Sequence, residues 1–72
     1  MKNEVTAYGI LKALSESNGY CNAHMIAINA MIDTTSENLL KIKDELYDFA
    51  DLGFVEVNTT RNRNVPWFKV IV

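Results

Sequence analysis

Arginine occurs only twice in this 72-residue chain, and cysteine, proline, histidine and tryptophan once each. Each scarcity excludes something. A lone Cys21 cannot close an internal disulfide, and no basic-then-apolar segment opens the sequence, so a reducing, cytoplasmic setting is expected. Apolar runs are only a few residues long, too short to span a bilayer. Cys21 and His24 stand close together in "CNAH", but two ligands fall short of the four a structural zinc site needs. His24 therefore reads as an ordinary histidine near the start of a helix, and Cys21 as a small apolar residue. There is no glycine-rich phosphate loop, no Ser/His/Asp set and no carboxylate pair set in a pocket. These gaps argue against an enzyme and imply neither cofactor nor metal.

What is present is apolar surface: 49% of the residues are hydrophobic, spread along the whole chain. That is enough to offset chain entropy, and the length suits one domain over residues 1–72, too small for a large catalytic cleft. Charge is unevenly distributed. Residues 1–56 carry four lysines against nine acids, a net of −5, whereas residues 57–72 carry Arg61, Arg63 and Lys69 with no acid, a net of +3. The total of −2 conceals a locally basic C-terminal stretch, "NTTRNRNVPW". Its arginines are the groups a phosphate backbone would meet first.

Hydrophobic spacing gives the secondary structure. Val5, Tyr8, Leu11 and Leu14 recur every third residue beside Ala7 and Ile10, predicting a helix from about Glu4 to Ser17 with Asn3 or a neighbour as its cap. "YC" precedes Asn22 as a short extended piece, and Asn22 can cap a second helix running to Met31. "DTTS" at residues 33–36 prefers turns and caps. Leu39, Ile42, Leu46 and Phe49 then step by three, four and three, predicting a third helix from Ser36 to Leu52, stopped by Gly53. "FVEVN" and "VPWFKVIV" alternate as strands around a polar connection, so the hairpin should turn Val55, Val57, Phe68, Val70 and Val72 inward. Trp67 and Ile71 should then share the outer face with Glu56 and Lys69. Pro66 suits an edge strand.

This order of helix, short strand, helix, helix, strand, wing and strand is an α+β fold, mainly α with a small antiparallel hairpin. It resembles the winged helix-turn-helix family, and "LYDFADLGFV" at 46–55 carries the likeness most closely. The resemblance implies a small DNA-binding regulator of transcription or replication, with helix three at the major groove and the hairpin tip at the backbone or minor groove. Residues expected at double-stranded DNA are then Thr35, Ser36, Asn38 and Lys41 on helix three, with Arg61, Asn62 and Arg63 on the wing. Many proteins of this kind pair as homodimers through helix one, reading two half-sites. From Asp33 to Asp51, however, two lysines face six acids, a net of −4. An alternative expectation follows: an inhibitor or adaptor docking on a basic protein surface through Glu37, Leu40, Asp44, Asp48 and Trp67, without DNA. Small size and many asparagines are compatible with a phage or mobile-element protein.

Overall fold

The computed structural model describes residues 3–17, 19–59 and 65–71. Its elements are α1 (Ala7–Ser15), α2 (Ala23–Asn29), α3 (Ser36–Asp51), β1 (Val55–Asn58) and β2 (Trp67–Val70). The architecture is mixed α+β, three helices against a two-stranded antiparallel hairpin. Among the described residues no helix is long and apolar enough to cross a membrane.

Each helix starts where a short polar side chain can accept from an otherwise unpaired backbone donor. Thr6 accepts from Gly9 N–H at 3.0 Å, Asn22 from Met25 N–H at 2.9 Å, and Thr35 from Asn38 N–H at 3.1 Å. The cap of α1 is thus Thr6, not the expected Asn3. Asn3 is engaged elsewhere: its N–H donates to the Met31 carbonyl at 2.7 Å and its side-chain amide to the Ala30 carbonyl at 2.9 Å. The segment before α1 is therefore extended and closes the end of α2, which shortens the first helix at its start.

Two helices end in the same way. In α3 the N–H of Phe54 reaches the carbonyl of Phe49 (2.9 Å) and that of Gly53 reaches Ala50 (3.0 Å), with Gly53 at φ 84. In α2 the corresponding bonds join Ile32 to Ala27 (2.8 Å) and Met31 to Ile28 (3.2 Å), with Met31 at φ 58. Both are Schellman caps, which need a left-handed residue just past the helix. The glycine was legible in the sequence. Methionine filling the same role was not, and it stops α2 two residues before the expected Met31.

The core is one cluster drawn from every element, including Ile10 and Leu14 of α1, Ile26 of α2, Ile42 and Leu46 of α3, and Phe68 of β2. The hairpin register pairs Val55 with Val70 and Val57 with Phe68, so these four share the face that covers the helices, as the alternation requires. Val72 lies outside the described residues. The edge of the Tyr47 ring meets Phe68 at 5.5 Å between centroids. Cys21 is buried and exchanges both backbone hydrogen bonds with Phe68, each 2.8 Å. The piece between α1 and α2 thereby joins the hairpin along β2.

One expectation of burial fails, and other large apolar residues also stand outside the core. Tyr8 is 77% exposed, because α1 turns Ile10, Ala13 and Leu14 inward instead. Leu52 is the cap of α3 and stands outside the core, since the chain reverses at Gly53 before it can pack. In α2 it is Ala23, Ile26 and Ala27 that are buried, while Met25, Ile28 and Met31 are exposed.

Candidate nucleic-acid interface

The first turn of α3 follows from its cap. Thr35 anchors the backbone, and the side-chain amide of Asn38 donates to the Asp33 carbonyl at 3.0 Å, fixing the turn that leads into the helix. Asn38 is half-buried and carries a structural bond, whereas Thr35 and Ser36 are exposed. Lys41 is also exposed, but its ammonium stands 3.3 Å from the Glu37 carboxylate, one turn earlier. Spacing alone suggests Glu45 as the partner of Lys41; the structure pairs it with Glu37 instead. An exposed i,i+4 pair of this kind contributes only a few tenths of a kcal/mol. It nevertheless sets a carboxylate beside the one cation expected at the groove.

Leu40, Asp44 and Asp48 are exposed on the same side, so the outward face of α3 is acidic, with Leu40 and the part-exposed Tyr47 as its apolar residues. Trp67 is half-buried. It lies on the outer hairpin face with Asn58, Glu56 and Lys69, as the register requires. There Tyr20 donates its hydroxyl to the Glu56 carboxylate, and the Lys69 ammonium sits 5.7 Å from the Tyr20 ring centroid. This cluster ties the segment before α2 to the sheet from outside, opposite Phe68. Arg61, Asn62 and Arg63, in the connection between β1 and β2, lie outside the described residues.

Sequence reading passed over the flank of α3. A cleft of about 250 Å³ runs between the start of α2, α3 and the approach to β2, lined by Asn22, Ala23, His24, Leu39, Lys43, Val65 and Pro66. No carboxylate is among these residues. Its floor is apolar, and Lys43 and His24 are its ionisable groups. Lys43 was obscured because in sequence it is surrounded by the acids of α3. On a helix, adjacent residues are about 100° apart, so Asp44 leaves the axis in a different direction. The signal available was Leu39 to Lys43, an i,i+4 pair that places the lysine beside the buried stripe instead of opposite it.

Among the described residues no group of three or more His, Cys, Asp or Glu is arranged to hold a metal ion. Compared with protein-family models, curated proteins and solved structures, the chain matches none.

Proposed function

We propose that this chain is a small winged helix-turn-helix regulator that binds double-stranded DNA. The topology supports the winged-helix reading: an extended residue between α1 and α2 pairs with β2, making β2 central between Cys21 and β1. The observation that carries DNA binding is the cleft beside α3. Val65 and Pro66, where the Arg61 and Arg63 connection returns to the sheet, border the same cleft as Lys43 and His24. Lys43 of α3 thus opens on the side of the domain where Val65 and Pro66 enter β2, while Asp44 and Asp48 are not among the residues lining that cleft. The duplex then meets the flank and first turn of α3, with Thr35 and Ser36 at its edge and the arginines on the backbone. Asn38 serves by shaping the turn.

Titration of duplex DNA at several salt concentrations tests this. Each lost phosphate contact flattens the log–log salt dependence by about 0.9, so Arg61→Ala/Arg63→Ala should flatten it by about 2 and Lys43→Ala by about 1. Absence of binding at low salt, or a slope indifferent to all three cations, refutes the reading.

A second reading rests on Leu40, which is 58% exposed within the acidic face of α3. A basic protein surface could be steered by Glu37, Asp44 and Asp48 and anchored by that leucine, with Trp67 contributing from the sheet. Affinity capture with native chain and with Glu37→Lys/Asp44→Lys separates the two readings. Loss of a partner only in the variant favours docking; an unchanged partner set counts against it.

A further inference from the structure

A groove of about 410 Å³ opens where α1 meets Phe54 and the end of β2. Its walls are Leu11, Phe54, Val70 and Ile71, and of these Phe54 and Ile71 are 51% and 53% exposed. Polar groups are few: the Lys12 ammonium and the hydroxyls of Tyr8 and Ser15, with no carboxylate. The volume falls within the range of small-ligand sites, about 300–1,000 Å³, in which apolar walls hold the ligand and a few polar groups orient it.

What those polar groups can still donate decides the kind of ligand. Ser15 spends its O–H on the Lys12 carbonyl at 2.9 Å, so its oxygen can otherwise only accept. The backbone at this corner is engaged as well: Ile71 N–H donates to the Phe54 carbonyl and Phe54 N–H to the Phe49 carbonyl, both at 2.9 Å. Recognition therefore falls to side chains. Lys12 holds no ion pair among the described residues, so its ammonium is an unspent charge. Glu4 and Glu16 border a neighbouring depression that shares Tyr8 and Lys12, but neither lines the groove. An anion is thus favoured on the groove side of Lys12 and repelled from the other.

We propose that the groove binds a small amphiphilic monocarboxylate, of the medium-chain fatty-acid kind, with its carboxylate at Lys12 and its chain along Leu11, Phe54 and Ile71. One unpaired cation matches one negative charge. A phosphate dianion would bring a second charge with no cation to meet it, and an ammonium head would face Lys12 with like charge. The walls in turn demand a tail, since a short hydrophilic acid removes no apolar surface from water. The Lys12 stem is long enough for its methylenes to extend the wall while the ammonium follows the head group.

Burial of the chain sets the strength. A fully buried methylene strengthens binding about fourfold, and against half-exposed walls about twofold is expected. For an eight-carbon acid the dissociation constant should be on the order of 1 mM.

Amide NMR spectra of the native chain, recorded without DNA at neutral pH and fixed salt, test this by titration with octanoate, 1-octanol and octylammonium, each to about 3 mM. The expected result is saturable shifts at Leu11, Lys12, Phe54 and Ile71 with octanoate, at least about fivefold weaker binding of octylammonium, and octanol between them. Butanoate, with its shorter chain, should bind more than about tenfold more weakly than octanoate. Lys12→Met keeps the apolar stem and removes the charge, so it should erase the preference for octanoate over octylammonium, and the unchanged remainder of its spectrum verifies the fold. Ile71→Ser, outside the strand and exposed, should weaken all three ligands alike. Absence of octanoate shifts at these residues overturns the proposal, as do equal binding of octanoate and octylammonium, or a preference that survives in Lys12→Met. Shifts confined to the cleft of Lys43 and His24 also overturn it, by placing the anion elsewhere. No DNA is present, so failure here and failure of DNA binding are read separately.

Discussion

Replacing Gly53 with alanine isolates the backbone term at the end of α3. Nothing lies within 4 Å of where the new methyl group would stand, so the substitution creates no clash. The cost comes from φ 84, a conformation that an L-residue adopts at about 1–2 kcal/mol. Against this, alanine reduces the freedom of the unfolded chain, which returns about 0.4–1 kcal/mol. The net expectation is a loss of about 1 kcal/mol, with the two Schellman bonds and the contact between Phe49 and Phe54, 6.3 Å between centroids, retained. For a domain of this size that lowers the melting temperature by about 4–8 °C. Thermal and urea denaturation followed at 222 nm would measure it, and an unchanged urea m-value would show that the folded state keeps its extent. Met31→Gly is the mirror experiment. It relieves φ 58 at a half-exposed residue and adds unfolded-state entropy of about 0.5–1 kcal/mol, so it should be neutral or slightly stabilising. A neutral or stabilising Gly53→Ala would refute the assignment of left-handed strain to this cap.

Two further outcomes test how the ends of the domain are held. Asn3→Ala removes the side-chain bond to the Ala30 carbonyl while leaving the backbone bond to Met31, and should cost about 0.5–1.5 kcal/mol in urea denaturation. No change would mean that water serves that carbonyl equally well. Cys21 is buried and free, so its thiol should react with a disulfide reagent only as fast as the domain opens, and fully in denaturant. Native-state reaction at the rate of a free thiol would show that the strip joining Cys21 to Phe68 is not closed.

Periodicity made α3 legible, because Leu39, Ile42 and Leu46 repeat at helical spacing and Thr35 and Gly53 punctuate its ends. The hairpin register was legible for a similar reason: Val55, Val57, Phe68 and Val70 alternate around a polar connection, so one register alone buries all four. The start of α1 was not. Glu4 and Val5 fit a helical stripe, and only the long-range bonds from Asn3 to the end of α2 hold that segment extended. Burial of Tyr8 failed for a related reason, since spacing in threes is satisfied equally by two neighbouring faces of one helix, and the face bearing Ile10, Ala13 and Leu14 is the one that joins the core with Ile26 and Phe68. At the candidate site, the sequence marks each charge but not its direction. Lys41 and Lys43 are two residues apart, yet one is exposed and paired with Glu37 while the other borders the cleft with His24.

That difference bears on whether an acidic third helix is compatible with DNA. Coulomb interaction with a phosphate depends on which charges lie within roughly a Debye length and face the same solvent, about 8–10 Å at physiological salt, and not on the sum over a helix. The net of −4 between Asp33 and Asp51 is spread over three and more turns of α3. On the proposed reading, a duplex approaching along the cleft would meet Lys43 and His24. The carboxylates of Asp48 and Asp51 lie toward the far end of the helix. Placed on the same side as the cations they would abolish affinity; turned away, they penalise the approaches in which α3 would lie lengthwise in the groove. On the proposed reading, the acids then select the orientation in which a duplex approaches.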